Sequence, residues 1–501
     1  MTLNSLSTDL QLQANTDLTA GRYAEAAAAY EQAIAAHPTA VENYWYLGLA
    51  LLLQGQEAEA QFAWMTPLME NPEQADQWAV DLVQVLQTES ERQEANSAYG
   101  AAWLLRQHMR ELAPNEDAEN LLKLLELGLK AQTIHLDDSE DGVLAQAIEV
   151  LNQTNLSDRA IQMELLLSIS QALLNLDTSS PKVYEFLTAS VPHFVENQRL
   201  PDLINTLMAQ STQRHKTSDY PGAIRIAKFC LQLAPEDTHL LSKTIYCLQS
   251  GDTASIKESL PLAKQLLQNT SSLTEEITCT QSILTGLMMT CGSSQETHEY
   301  YQRYKHLLQS VRSTSPSGTH SESTEEIYKL IAMGMFFNYF EDDPATNRPI
   351  RNRLAAVCQA DLQSSFVDRV NHYQQRHQAR RAETKPLKIG YLSDCLRLHS
   401  VGWLARWLLT HHDRSRFDIH LYSTRQSDDP LQQAFIARYG DHFHQVPFPI
   451  IEIADRINQD DIDILVELDS VTVFGSCAVM ALKPAPVQAT WLGYDASGLP
   501  A

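Results

Sequence analysis

The sequence has few basic residues for its length, with 37 lysines and arginines against 62 aspartates and glutamates in 501 residues. The resulting formal charge of −25 at pH 7 makes a nucleic-acid backbone or an anionic membrane surface an unfavourable partner for the whole molecule. A solvated acidic surface explains this charge, which by itself identifies no substrate. The length is enough for about three domains.

Paired cysteines and long apolar runs are also absent. The seven cysteines are odd in number, widely spaced and without a CxxC pair, so the sequence indicates neither a disulfide framework nor a zinc site. The apolar run Tyr44–Leu53 is shorter than the roughly 20 residues that a membrane-spanning helix needs. The amino terminus, MTLNSLSTDLQ, has no basic region followed by an apolar stretch, unlike a secretory signal. We therefore expect a soluble, cytoplasmic protein.

A repeat of 34 residues runs through the amino-terminal region. Three pairs of residues keep this separation: Gly21 and Gly55, Ala26 and Ala60, and Pro38 and Pro72. This is the tetratricopeptide period, in which each repeat is a pair of helices and neighbouring pairs stack to bury their apolar faces. Gly48 and the alanines are then expected where two helices approach closely.

Later copies of the repeat are less regular. One downstream copy keeps the offsets of the first: Tyr220, Ala223, Ala227, Cys230 and Pro235. Between residues 120 and 211 the apolar spacing is helical, but no repeat phase can be assigned. We predict tetratricopeptide repeats over residues 1–130 and degenerate helical repeats over 131–312, with one clear copy near 217–250.

The next segments are predicted to connect this helical region to a final lobe. Residues 313–324 (STSPSGTHSEST) read as a polar linker, and residues 325–385 as a helical connector. Within the connector the pattern predicts one helix over Glu325–Phe340, ended by Asp342-Asp343-Pro344, and a long polar helix over Arg351–Arg381.

Residues 386–501 alternate short apolar runs with helical patterns. Strands are predicted at Leu387–Leu392, Phe417–Tyr422, Phe443–Val446, Ile462–Leu468 and Val487–Leu492, with helices after the first four. Such alternation implies a parallel sheet, in which ligands lie at the carboxyl ends of the strands. The predicted fold class is α + α/β: a tetratricopeptide-like α-solenoid followed by a Rossmann-like parallel-sheet lobe.

Three segments of this lobe carry a family resemblance: Gly390–Leu404 (GYLSDCLRLHSVGWL), Ile462–Ser470 (IDILVELDS) and Ala481–Ala501 (ALKPAPVQATWLGYDASGLPA). They resemble the amino-terminal catalytic lobe of the protein O-GlcNAc transferase/SPINDLY family of glycosyltransferases. The most specific part is KPAPVQ followed by WLGY. Since these enzymes have the two-lobed GT-B fold, the resemblance implies that residues 386–501 are the amino-terminal half of one.

The resemblance implies a catalytic role for His399, in the loop after the first strand. The family places a histidine here, close to the donor and the acceptor hydroxyl, as a base or a positioning group. An imidazole near neutral pKa can accept a proton from a Ser or Thr hydroxyl or hydrogen-bond a sugar. The alternative is a loop histidine that caps the following helix.

Other candidate substrate-binding residues depend on the same resemblance. Asp394 lies one position before Cys395, where family members usually show an aspartate. Asp469 follows the fourth strand, and it is either functional or a cap or turn former. Directly after it, Ser470-Val471 stands where the family commonly has Gly-His or Gly-Tyr. The loop after the fifth strand adds four further candidates: Gly493, Tyr494, Ser497 and Gly498.

The implied reaction is an inverting, metal-independent transfer of a hexosyl or N-acetylglucosaminyl group to Ser or Thr of a protein. The donor would be UDP-GlcNAc or GDP-fucose, no cofactor is needed, and the acceptor polypeptide would lie in the solenoid groove. The lobe that supplies most of the nucleotide-sugar site in this family does not follow Ala501, so we expect this chain alone not to turn over a nucleotide sugar.

The alternative is a tetratricopeptide scaffold for protein–protein interaction with a vestigial transferase lobe. The departures at Cys395 and Ser470-Val471 favour this interpretation, and the nearly complete Gly390–Leu404 motif counts against it.

Overall fold

The computed structural model describes residues 3–112, 118–134, 142–153, 162–292, 294–311, 330–335, 337–379, 386–446 and 449–493. They belong to two compact units, Met1–Pro235 and Glu236–Ala501. The predicted linker over residues 313–324 lies outside the described residues, and the predicted domain boundaries stay predictions.

The described part of the first unit is helical. Its helices are α1 (Leu3–Thr19), α2 (Tyr23–Ala36), α3 (Glu42–Leu53), α4 (Glu57–Glu70), α5 (Ala75–Ala95), α6 (Tyr99–Leu112), α7 (Ala118–Lys130), α8 (Val143–Asn152), α9 (Met163–Leu176), α10 (Pro181–Glu196), α11 (Leu200–Lys216) and α12 (Tyr220–Leu233). Neighbouring helices pack in pairs, α1 with α2, α3 with α4, α5 with α6 and α11 with α12. This confirms the predicted tetratricopeptide-like arrangement.

The small residues of the repeat lie where the sequence predicts close helix contacts. Ala26 and Ala60 are fully buried. A methyl group on Gly48 of α3 would overlap the Trp64 indole of α4, whose Nε1 donates a hydrogen bond to the Trp45 carbonyl at 3.0 Å. The residues that recur every 34 positions are therefore those at which one helix packs closely against the next, as stacked helix pairs require.

The downstream copy is also helical, and three of its five repeat positions are buried. Helix α12 has 14 residues, as does α2, and its Ala223, Ala227 and Cys230 are fully buried. Asp219 caps this helix by accepting the Gly222 N–H at 3.0 Å.

The second unit begins with helices. They are α13 (Thr238–Gln249), α14 (Thr253–Gln268), α15 (Leu273–Cys291), α16 (Gln295–Ser310), α17 (Phe337–Phe340), α18 (Pro344–Ser365) and α19 (Val367–Ala379). The single helix predicted over Glu325–Phe340 is wrong, because its described part holds a 3₁₀ turn, Leu330–Ala332, and the short α17.

The long helix predicted over Arg351–Arg381 is also wrong in its bounds. It begins at Pro344, where Asp343 caps the helix by accepting the Thr346 N–H at 3.1 Å. Proline suits the first helical position because its missing N–H would be unpaired there. The helix ends at Ser365, with Phe366 as its C-cap, and α19 starts at Val367. Asp343 and Pro344 therefore start a helix, whereas the sequence pattern predicts that they end the preceding one.

The remainder of the second unit is a five-stranded parallel sheet. Its strands are β1 (Leu387–Ser393), β2 (Phe417–Ser423), β3 (Phe443–Gln445), β4 (Ile464–Glu467) and β5 (Val487–Thr490), and its helices are α20 (Ser400–His411), α21 (Pro430–Tyr439), α22 (Ile450–Gln459) and α23 (Phe474–Ala481). All four strand pairings are parallel. The five predicted strands and the Rossmann-like lobe are confirmed.

The strand order is β3-β2-β1-β4-β5, which places a topological switch between β1 and β4. The chain moves outward from β1 through β2 and β3, and then returns to the other side of β1. Ligands of open parallel sheets bind in the crevice at the carboxyl ends of the two strands that flank such a switch. A ligand-binding site is therefore expected at the loops after β1 and β4.

We predict that Gly48→Ala destabilises the first unit by about 1–3 kcal/mol, because the added methyl group must displace a buried indole. Gly100→Ala is the matched control, since nothing lies within 4 Å of a methyl group at that position of α6. It should be neutral or slightly stabilising. Urea unfolding followed by circular dichroism measures both, and equal stability of the two variants would contradict the packing role of Gly48.

Candidate active site at the carboxyl edge of the sheet

The loop between β1 and α20 carries His399 at the switch point. His399 is the N-cap of α20, and its Nδ1 accepts the Val401 N–H at 3.3 Å. The imidazole is partly exposed. The capping alternative is therefore present in the structure, while a chemical role for the other ring nitrogen stays a prediction.

Gly402 lets the His399 loop fold back over the start of α20. A methyl group there would overlap the backbone carbonyl oxygens of Arg397 and Cys395. Because backbone atoms cannot move aside as a flexible side chain can, this place in the Gly390–Leu404 motif requires glycine. The motif thus fixes the shape of the loop as well as supplying its histidine.

Asp469 lies at the end of β4 and is 1% exposed. Its Oδ1 accepts the Ser393 hydroxyl at 2.6 Å, and its Oδ2 accepts the Asp394 N–H at 2.7 Å. Burial raises the pKa of Asp469, and the hydrogen bond from Ser393 opposes this shift. The carboxylate therefore holds the start of the His399 loop, and its oxygens face protein groups.

Asp394 is the candidate carboxylate that remains partly exposed. It accepts the Thr424 hydroxyl at 3.3 Å and pairs with Arg425 at 3.6 Å, so it links the exits of β1 and β2. The neighbouring Cys395 is buried, and burial raises the pKa of its thiol to about 12. Cys395 is neutral at ordinary pH and cannot replace the aspartate usual at that place in the family.

A second buried carboxylate, Glu467, fixes the exit of β4. Its Oε1 accepts the N–H groups of Asp469 and Ser470 at 2.5 and 2.7 Å, and its Oε2 accepts the Thr490 hydroxyl at 3.1 Å. Burial, followed by repulsion from Asp469, raises the pKa of Glu467 to about 7. The sequence analysis did not select Glu467, although a carboxylate inside an otherwise apolar strand indicates a buried polar site.

The turn after β4 holds Ser470 at φ 56°, in the left-handed region that costs a non-glycine residue about 1–2 kcal/mol. Val471 is buried, 7% exposed. Gly493, after β5, packs on this turn, and a methyl group there would lie 2.5 Å from Ser470 Cβ. Of the four candidates in the last loop, Tyr494, Ser497 and Gly498 lie outside the described residues.

Two residues after β2 anchor the His399 loop from the other side. The fully buried Gln432 donates to the Leu396 carbonyl at 3.0 Å and to the Arg425 carbonyl at 3.0 Å. Asp429 accepts the Leu398 N–H at 2.9 Å. Both residues are distant in sequence from His399, and no local pattern could have identified them.

Groups able to hold a metal lie elsewhere on the sheet. They are Asp418, His420 and His442, and a second set of His420, His444 and Asp460. Arginine only donates, so the contact between Arg456 Nη2 and His444 Nδ1 at 3.0 Å makes that nitrogen an acceptor. His444 Nε2–H then donates to His420 Nδ1 at 3.2 Å, and His420 Nε2–H to Asp418 at 3.3 Å. This chain satisfies the imidazoles through hydrogen bonds, and the expectation of a metal-independent reaction stays a prediction.

Comparison with known proteins bears on this region and on the repeats. The sequence profile of Glycosyl transferase family 41 matches residues 340–500, and that of the Tetratricopeptide repeat matches residues 12–66. The chain is 37% identical over 122 residues to the "Probable UDP-N-acetylglucosamine--peptide N-acetylglucosaminyltransferase SPINDLY" of Arabidopsis thaliana. Residues 340–500 therefore form a Glycosyl transferase family 41 region that is similar to the O-GlcNAc transferase/SPINDLY proteins.

A second relative is the "UDP-N-acetylglucosamine--peptide N-acetylglucosaminyltransferase" of Caenorhabditis elegans, 32% identical over 114 residues. The matches cover 23% and 22% of this chain, but only 13% and 10% of the two relatives. A solved structure of a Thermobaculum terrenum O-GlcNAc transferase mutant is similar at 19% identity and a TM-score of 0.38, over 59% of this chain and 51% of that one.

Among the residues that the structure describes, no helix is both long and apolar enough to cross a membrane.

We predict that Glu467→Gln weakens the dependence of stability on pH. A carboxyl whose pKa is raised in the folded state stabilises the protein fully below its unfolded pKa, and this contribution is lost as pH rises to about 7. The loss is on the order of 3 kcal/mol, because the pKa rises from its usual 4.5 to about 7 and one pKa unit corresponds to about 1.36 kcal/mol. Glutamine keeps the acceptor oxygen without ionising, so Glu467→Gln should lose less stability than the parent between about pH 5 and pH 8.

The matched control is Glu452→Gln, on the exposed surface of α22. The free energy of unfolding of this control, measured in urea, should change with pH as that of the parent does. If the free energy of unfolding changes equally with pH in all three proteins, Glu467 does not titrate between about pH 5 and pH 8.

Proposed function

We propose that this chain carries half of a cleft that transfers N-acetylglucosamine from UDP-GlcNAc to Ser or Thr of a polypeptide, in the amino-terminal lobe of a GT-B fold. The observation that carries the proposal is the place of His399, at the switch point of a parallel sheet, inside a loop held by Asp469, Gln432 and Asp429. The family match over residues 340–500 supports the reaction class, and the relatives' names support the donor.

The loop is built to hold one conformation. Hydrogen bonds fix it at Asp394, Leu396 and Leu398, and Gly402 lets it close over the helix. Catalytic groups work when their supporting residues hold them in a single geometry. This arrangement fits a positioned histidine better than a freely moving one.

The tetratricopeptide unit would bind the acceptor polypeptide, as stacked helical repeats offer extended surfaces for such partners. All seven cysteines are free thiols, and six of them are buried. Free thiols fit a reducing compartment, which supports a cytoplasmic location.

A scaffold function is the second candidate, and one observation favours it. Val471, at a place where the family commonly has His or Tyr, is buried among apolar residues that include Leu354 and Cys477. The turn after β4 therefore offers no polar side chain at this position. A lobe that has lost this group fits a protein that recruits partners without transferring sugar.

We predict that His399→Asn in the intact gene product lowers the kcat for transfer from UDP-GlcNAc to a Ser/Thr peptide library by about 10²–10⁴-fold. Asparagine is a good N-cap, so this variant keeps the helix cap and should keep the melting temperature. His399→Ala is the comparison variant, which loses both the cap and the imidazole.

The pair of variants separates the two roles of His399. If the residue only caps α20, His399→Asn stays active and His399→Ala melts lower. If the intact parent shows neither transfer nor binding of UDP-GlcNAc or GDP-fucose by calorimetry, the scaffold function replaces the transferase proposal.

A further inference from the structure

Helix α20, which begins directly after His399, turns apolar side chains toward solvent. Its exposed residues are Ser400, Trp403, Leu404, Trp407, Leu408 and His411. A helix on the surface of a globular protein normally buries its apolar stripe and exposes polar side chains. Helix α22 of the same lobe does so, since its exposed residues are Glu452, Arg456 and Gln459. The outward face of α20 therefore has the composition of a contact surface.

Four of these residues supply the apolar area of the face. The exposed fractions are 46% for Trp403, 60% for Leu404, 65% for Trp407 and 38% for Leu408. Because a large aromatic side chain offers about 150–250 Å², the two tryptophans alone expose roughly 170–280 Å², and the face with its leucines roughly 300–450 Å². A dimer interface of standard size buries about 800 Å² on each partner, as an apolar core with a polar rim. The face of α20 is thus large enough to be the core of such an interface.

The two tryptophans are already held in position by neighbouring side chains of α20. The Arg406 guanidinium lies 4.5 Å from the centroid of the Trp403 ring, and the His411 ring stacks on Trp407 with centroids 5.2 Å apart. Aromatic side chains that are ordered in advance lose little entropy on binding, and tryptophan is enriched among the residues that dominate interface energies. Arg406 is the only lysine, arginine, aspartate or glutamate in α20. The face therefore presents two ordered aromatic anchors and no carboxylate.

The pattern of this face is complementary to itself. Trp403-Leu404 and Trp407-Leu408 are the same pair of residues four positions apart, so the tryptophans form one ridge along the helix and the leucines form the next. In two copies of α20 that pack antiparallel about a two-fold axis at the middle of these residues, each tryptophan faces a leucine of the other helix. Large side chains then pack against smaller ones, in the isologous contact that most homodimers use.

We propose that this chain forms a two-fold dimer through α20, with Trp403, Leu404, Trp407 and Leu408 as the apolar core of the interface. A second copy fits this face better than a partner selected by charge, because the four core residues are uncharged and complement themselves. An anionic membrane surface is disfavoured by the formal charge of −25. The antiparallel arrangement leaves the two His399 loops at opposite ends of the interface. The inference is independent of the transferase proposal.

The test is sedimentation velocity of the full chain from about 1 to about 100 µM, where an interface of this size should give a measurable dimer. Leu404→Glu and Trp407→Lys should each weaken the dimer Kd at least about ten-fold. Both residues are exposed, so each variant should keep the circular dichroism spectrum and the Tm of the parent. Higher salt should strengthen the parent dimer, because it screens the repulsion between two acidic chains.

Mixing the two variants tests the antiparallel register. In the mixed dimer Glu of one chain faces Lys of the other, while the second contact keeps its native Trp407 and Leu404. The mixture should therefore form a dimer at concentrations where each variant alone is monomeric. Met289→Glu is the matched control, because Met289 is an exposed apolar residue of α15, and this variant should dimerise like the parent.

Four results would overturn the proposal. The first is a parent chain that stays monomeric at about 100 µM, including one that floats with phosphatidylcholine vesicles, which would assign the face to a lipid surface. The second is an unchanged dimer Kd in both α20 variants, which would place the contact elsewhere on the chain. The third is a mixture of the two variants that stays monomeric. The fourth is a parent dimer that weakens at higher salt.

Discussion

Two buried carboxylates at the end of β4 hold the carboxyl edge of the sheet together. Asp469 binds the exit of β1, and Glu467 binds the exit of β4 and the Thr490 hydroxyl on β5. Buried carboxylates are costly unless they are hydrogen-bonded, and this pair accepts hydrogen bonds from the last residues of β1 and β5 and from the loops after β1 and β4. The start of the His399 loop and the Ser470 turn are therefore held by hydrogen bonds to these two side chains.

The same edge of the sheet contains the residues at which this chain departs from the O-GlcNAc transferase/SPINDLY pattern. Ser470 occupies a left-handed conformation that glycine adopts without strain, at a place where the family commonly has glycine. A glycine at this position would adopt the same conformation without that strain. Val471 packs in the core, so position 471 offers no polar side chain, although the His399 loop is complete. The transferase and scaffold interpretations differ in which of these two facts decides function.

The sequence predicts the strands well because alternation and flanking polar turns are local signals. The sequence does not predict features that depend on tertiary contacts, such as which face of a helix is buried. The apolar spacing predicts helix α20 but does not show which of its faces packs against the protein. Ala405 and Leu409 are buried, whereas Trp407 is 65% exposed. Gln432 is invisible to any local pattern, since it acts on a loop about 36 residues away. The family resemblance identified His399 and Asp469, but it could not show that one is partly exposed and the other buried.

The direction of one hydrogen bond constrains what His399 can do. Its Nδ1 accepts the Val401 N–H, so the neutral imidazole carries its proton on Nε2. In that form Nε2 offers a proton, which suits stabilising the charge that develops on a leaving diphosphate. Base catalysis at Nε2 needs the proton on Nδ1, which breaks the cap. A cap is worth about 1 kcal/mol, whereas general-base catalysis contributes about 10²–10⁴-fold, or roughly 3–5 kcal/mol. The cap therefore sets the resting tautomer without forbidding the base role, and the donor role needs no rearrangement.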